Sequence, residues 1–145
     1  AAAWRDGGPR ARLAAIIVLD QFSRNIYRGQ AKAFAQDAMA LSLAQDALDA
    51  REDESLAELE RSFLYLPFEH SEALEDQTRS VELFERLVHE ARPAFKPICQ
   101  SSLDYAYQHR DVIAQFGRFP HRNAILGRKN SPAEAIYLAQ PGSGF

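Results

Sequence analysis

Between residues 11 and 27, Leu13, Ile16, Ile17, Asp20 and Arg24 recur at helical spacing, so one stripe of a single helix turns from apolar to charged along its length. Gly29 suits the left-handed cap that ends such a helix. Asp37 is a good N-cap for a second helix reaching about residue 50, with Leu41, Ala44 and Leu48 inward. The run Arg51-Glu52-Asp53-Glu54 reads as its solvated exit. A third helix spans about 55–66, where Leu56, Leu59, Phe63 and Leu66 repeat at three and four before Pro67 disfavours continuation. The fourth, expected to be the longest, spans about 71–91 with Leu74, Val81, Phe84, Leu87 and Val88 inward. A fifth follows Pro97 and puts Tyr105, His109, Val112, Ile113 and Phe116 on one stripe before Gly117 stops it. Ser131-Pro132-Ala133-Glu134 combines an N-cap serine, a first-turn proline and a third-position glutamate, the pattern of a capping box. Sustained strand-like alternation is absent, and 141–144 reads as loop. The pattern predicts an all-α protein of antiparallel helical hairpins.

Composition bounds this picture without naming a reaction. At 145 residues, 46% hydrophobic and 26% charged, the chain matches one ordinary globular domain over 1–145 and disfavours disordered, collagen-like and disulfide-scaffold classes. The single cysteine, Cys99, has no internal bridging partner, and no apolar run approaches the roughly 18 residues of a membrane span. A reducing cytoplasm is the expected compartment. The chain opens on Ala1 rather than Met, which reads as part of a longer protein lacking its first helices here.

Charge is unevenly spread. Residues 1–45 hold six Lys/Arg against three acids, 46–90 four against fourteen, and 91–145 seven against three, beneath a net charge of −3. An acidic middle argues against a protein that coats nucleic acid. The basic ends would form a positive surface if they met.

Three polar stretches carry the candidate chemistry. In 19–29, Asp20 and Arg24 lie four apart on the apolar stripe, with Asn25 and Arg28 beside them, reading as an interhelical ion pair or a ligand-facing arginine. In 63–72, His70 and Glu72 stand near a helix start, where Ser71 or Glu72 can cap backbone amides. In 108–128, His109, Arg110, Arg118, His121, Arg122, Asn123 and Arg128 surround Gly117, a composition suited to phosphate or carboxylate, or to a clasp on helix carbonyls. Phosphate-binding glycine loops, Gly-x-Ser-x-Gly, His-Glu-x-x-His and cysteine pairs are absent. No metal site and no cofactor are expected.

The segments LDQFSRNIYRG, FLYLPFEHSE and QHRDVIAQFGRFPHRNAILGR, in this order and spacing, resemble the bacterial family catalogued as domain of unknown function 924, from Trp4 to Phe145. The resemblance implies a tetratricopeptide-like helical fold, as a right-handed superhelix or bundle, and no assigned activity. Family members begin further upstream and often carry proline where Ser23 stands, so the helix here is free to continue past that position.

Two functional readings follow. One is a binding or scaffold module that accepts a small anion, a peptide or a protein partner, with homo-oligomers compatible and neither nucleic acid nor membrane involved. The other is an enzyme acting on a small phosphate- or carboxylate-bearing substrate, with histidines as acid or base and arginines neutralising the anion. A deep pocket where His70, His109 and arginines converge favours the enzyme; a shallow groove favours binding.

Overall fold

The computed structural model describes Trp4 and residues 7–145. Its first long helix runs continuously as α1 (Pro9–Ile17), a π-helical turn (Val18–Phe22) and α2 (Ser23–Ile26). Then come α3 (Asp37–Asp49), α4 (Glu58–Glu69), α5 (Leu74–Glu90), α6 (Lys96–Phe116) and α7 (Pro132–Leu138), with single 3-10 turns before α3, α4 and α6 and after α6. No strand occurs among the described residues. No helix among them is long and apolar enough to cross a membrane.

Burial of apolar side chains holds the body together. Ile16, Leu64, Phe68, Phe84 and Leu87 belong to one buried cluster, to which α3 adds Leu43, Ala44 and Ala47. The small residues of α3 let its backbone approach its neighbours closely. The largest packing is between α5 and α6, and then between α4 and α5. A second cluster of Val112, Ile113 and Phe119, with Phe116 and Tyr137 against it, ties the end of α6 to the following loop and to α7. Gly117 closes α6 with φ 70°, and its N–H donates to the Ile113 carbonyl at 2.8 Å.

Several faces are turned from where periodicity put them. The inward side of α3 is Ala40, Leu43, Ala44 and Ala47, with Leu41 and Leu48 only half-buried. Asp37 is the first residue of α3 rather than its cap, because its carboxylate pairs with Arg24. Pro67 lies inside α4, where it removes one backbone donor without ending the helix. The buried stripe of α4 is Arg61, Leu64, Tyr65 and Phe68, so Leu59 and Phe63 face outward. Polar partners decide this orientation: Tyr65 donates its hydroxyl to buried Asp53 at 2.7 Å, and Arg61 donates to the Tyr65 oxygen at 3.0 Å. Asp53, expected in a solvated exit, is therefore a buried anchor that also receives Arg86. Leu74 and Tyr105 are exposed, and α6 with 21 residues exceeds α5 with 17. Cys99 is buried, and its desolvation pushes the thiol pKa up.

Other expectations hold. The helix continues through Ser23. Ser131 accepts from the Glu134 amide at 3.1 Å while Glu134 accepts from the Ser131 amide at 2.7 Å, completing the capping box. The acidic middle is not a free surface: Glu58, Glu60 and Glu72 pair with Arg92, Arg10 and Arg128 from the basic ends.

Phe84 is 0% exposed and meets Tyr65 edge to face at 5.7 Å, so Phe84→Ala is expected to cost about 3–5 kcal/mol in chemical denaturation. Phe63 is 41% exposed, and Phe63→Ala is expected to cost less than about 1 kcal/mol, reversing the ranking that periodicity alone would give.

Candidate functional site

The charged end of the first helix is where the site begins. The π-turn widens the helix around Asp20, and such turns are frequent at functional sites. Asp20 is 1% exposed, a position in which a carboxylate needs partners on all sides. His70, at the C-terminal end of α4, supplies one: its Nδ1 lies 2.7 Å from Asp20 Oδ1. Gln21 donates to the other oxygen at 2.6 Å, and Arg24 Nη2 lies 3.2 Å from Oδ1. Burial pushes the Asp20 carboxyl up, but His70, Arg24 and Gln21 together outweigh it and hold the pKa below the ordinary range. Burial lowers the His70 pKa, leaving a neutral imidazole.

These assignments fix the tautomer. An ionised carboxylate only accepts, so His70 Nδ1 carries the proton and Nε2 is the bare nitrogen. Arg24 Nε, 3.3 Å from that protonated Nδ1, has no lone pair to meet there. Arg24 is held instead by Asp20 and by Asp37 at 3.0 Å.

Arg122 comes from the 3-10 turn Pro120–Arg122 after α6. It donates to the His70 carbonyl at 2.9 Å and stands between the Phe34 and Phe119 rings, 4.6 and 4.5 Å from their centroids. Burial, reinforced by the nearby charge of Arg24, pulls its pKa down to about 10.

His70, Arg24 and Arg122 line a cavity of about 510 Å³, together with His109 of α6 and His121. Arg28, Asn25 and Gln21 extend its polar wall, while Phe34, Ile125 and Phe145 supply its apolar one. No Asp or Glu side chain is among its described lining residues, while Asp20 and Asp37 pair with the lining arginine Arg24. His109 donates from Nδ1 to the Tyr105 carbonyl at 2.8 Å, and burial lowers its pKa to about 3. Glu69 lies 3.3 Å from the same nitrogen, yet the two form no ion pair at neutral pH, because burial raises the glutamate to about 8. His121 is lowered to about 4, mainly by burial and then by Arg122.

The sequence-derived candidates thus divide. Asp20, Arg24, Asn25, Arg28, His70, His109, His121 and Arg122 are gathered at the cavity or directly behind its wall. Glu72 instead receives Arg128 at 2.7 and 2.8 Å and the Phe119 amide at 2.8 Å, clamping the loop after α6. Burial pushes the Glu72 pKa up, but Arg128 and the amide outweigh it and hold it below the ordinary range. Asn123 is buried against Arg128 and Asn130, Arg118 pairs with Glu134, and Arg110 pairs with Asp111. Periodicity gives no reason to select Phe34, Asp37, Glu69 or Phe145, since contacts between different elements are invisible to local spacing. Among the described residues no group of three His, Cys, Asp or Glu side chains is arranged to hold a metal ion.

The shifted groups set the pH dependence of stability. Folded Glu69 keeps its proton to about pH 8 but loses it near 4.5 when unfolded, so its contribution declines as pH rises between those values. Folded His109 and His121 stay neutral down to about pH 3 and 4 but protonate near 6.5 when unfolded, so their contribution is lost as pH falls below 6.5. His70, also lowered by burial, acts in the same sense, so below pH 6.5 three histidines oppose the one glutamate and above it the glutamate dominates, and stability is expected to peak near pH 6.5. In urea titrations from pH 6.5 to 8, Glu69→Gln should abolish a decline of up to about 1.4 kcal/mol per pH unit. A wild-type profile flat across that interval would contradict it.

No curated protein matches the chain. A solved structure of a protein of unknown function from Agrobacterium tumefaciens is similar to it, with a TM-score of 0.80 and 38% identity over 93% of this chain and 72% of that one. The family model described as a bacterial protein of unknown function, DUF924, matches residues 1–142. That match takes in the π-turn, the end of α4 and the loop after α6 alike, so the chain that builds this cavity belongs to the bacterial family DUF924.

Proposed function

We propose that this chain binds a small organic anion, a carboxylate or a phosphate, in the cavity between His70, His109 and Arg122. The observation that carries the reading is a set of donors without acceptors. Arg24 Nη1 and Arg122 Nε are buried side-chain nitrogens with no hydrogen-bond partner, and His121 Nδ1 is a third unpartnered nitrogen on the same wall. Buried polar groups are almost always satisfied, so two cavity-lining arginines that each keep an unpartnered nitrogen, with no Asp or Glu among the described lining residues, form a wall suited to an incoming anion. The volume is that of a site for a small ligand rather than of a protein groove. The succession of α4 against α5 and α5 against α6 supports reading the body as a tetratricopeptide-like scaffold that presents this cavity.

A second reading, catalysis on the bound anion, is favoured by the Asp20 and His70 pair. Asp20 fixes the Nδ1 proton of His70 and would stabilise the imidazolium formed when Nε2 takes a proton. Arg24 and Arg122 would then offset negative charge developing on the ligand. His70 is the group assigned to proton transfer, and Asp20 is its positioning residue.

Thermal-shift titration with inorganic phosphate and with succinate tests the binding reading. A ligand at a hundredfold excess over its dissociation constant adds about 2.7 kcal/mol of stability. Arg28 is exposed and bonded to Asn25 alone, so Arg28→Gln is expected to change stability by less than about 0.5 kcal/mol while weakening the anion about tenfold. Absence of any shift with both anions would overturn the reading.

A further inference from the structure

The cavity already contains a ring. Phe145 lies with its centroid 3.6 Å from that of His109 at an interplanar angle of 22°, a stacked pair. Phe119 meets it edge-on at 6.1 Å and 78°, and His121 does so at 5.9 Å and 75°. One face and two edges of an aromatic ring are thus matched by aromatic partners in their preferred geometries. His109 suits stacking because its Nδ1 is tied to the Tyr105 carbonyl, which fixes the ring plane. Its burial keeps it neutral, so it offers a π face rather than a cation.

The occupant itself is held loosely. Phe145 is 45% exposed, so it fills the seat from one side only. The tail leading to it passes through Gly142 at φ 78° and Gly144, and its Ser143 hydroxyl donates to the Leu138 carbonyl at 3.1 Å. Displacing such a segment disturbs little secondary structure, since α7 ends at Leu138. The cations are close by: the Arg122 guanidinium lies 4.5 Å over Phe119, the ring that forms one edge of the seat.

We propose that His109, Phe119 and His121 form a seat for an aromatic ring, that Phe145 fills this seat as an internal stand-in, and that the ligand is an aryl or heteroaryl anion. This inference rests on the anion-binding reading above and names the class of ligand. The ring stacks on His109 in place of Phe145, and the carboxylate or phosphate meets the guanidinium groups of Arg24 and Arg122, which line the same cavity. A ring and an anion joined by a short linker satisfy both halves of the cavity, whereas a bare anion satisfies only one.

Isothermal titration of matched probes on the whole chain tests this: phenyl phosphate against inorganic phosphate, and 3-phenylpropionate against propionate. Each aryl probe is expected to bind at least about tenfold tighter than its partner. Phe145→Ala, at an exposed position, is expected to raise affinity for the aryl probes about tenfold further and leave the bare anions unchanged. Bare anions that bind as well as aryl ones, in both wild type and Phe145→Ala, would overturn the seat while leaving anion binding intact. An aryl preference that Phe145→Ala leaves unchanged, or lowers, would overturn the stand-in role by placing the ring elsewhere or making Phe145 a clamp. Failure of all four probes to bind would instead overturn the anion reading, and the seat with it.

Discussion

A carboxylate sealed inside a helical body is the constraint around which the rest is arranged. Asp20 has almost no contact with solvent, and leaving its charge unpaired there would cost more than most single contacts supply. Two of its partners, Gln21 and Arg24, are local, and through His70 and Arg24 the contacts spread to distant parts of the chain. His70 brings in the end of α4, Arg24 brings in Asp37 at the start of α3, and Arg122 approaches both Asp37 and the His70 carbonyl from the loop after α6. Four segments of the chain are thus fixed relative to one another by polar contacts in addition to apolar packing. The cavity is the space these contacts leave beside them.

Two kinds of interaction divide the labour. The apolar cluster of Ile16, Leu64, Phe68, Phe84 and Leu87 gives the body its cohesion and would do so in many arrangements of similar helices. The polar clamps are less forgiving. Glu72 with Arg128 holds the loop 117–128, and Arg118 joins the Ser131 and Glu134 capping box to that same loop. Bidentate arginine pairs set direction as well as distance, so the loop presents Arg122 and His121 in a defined pose. Arg110 and Arg118, though rich in charge, take no part in lining the cavity because nearby acids claim them first.

Helical periodicity made the all-α class legible, because a stripe repeating at three and four needs only local residues to be seen. The capping box at Ser131 was legible for the same reason. Faces were misread where burial follows a distant partner. Arg61 and Tyr65 turn inward for Asp53 and Glu90, which rotates Leu59 and Phe63 to the surface. Pro67 was read as a stop, yet a helix otherwise well packed on α5 absorbs one missing donor. At the candidate site, the interruption of apolar stripes by Asp20, Arg24 and His109 marks positions that the fold brings together, since charge in a core has to be paired or used. Asp37, Glu69 and Phe145 leave no such mark, because each matters only through a residue on another element.

The π-turn at Val18–Phe22 has a consequence for how this sequence can change. It carries one residue more than an α-helical turn would, and both flanking segments stay helical because the surplus is accommodated inside the helix. Loss of one residue from that stretch would restore α-geometry and leave the flanking segments in nearly the same orientation, because a π-turn and the α-turn it replaces rotate the chain by about the same angle. The core contacts of Leu13 and Ile16 and the cavity positions of Arg24 and Arg28 would both survive, and the change would be confined to the widened backbone around Asp20. Such a shortening therefore separates the setting of the buried carboxylate from that of the arginines that follow it.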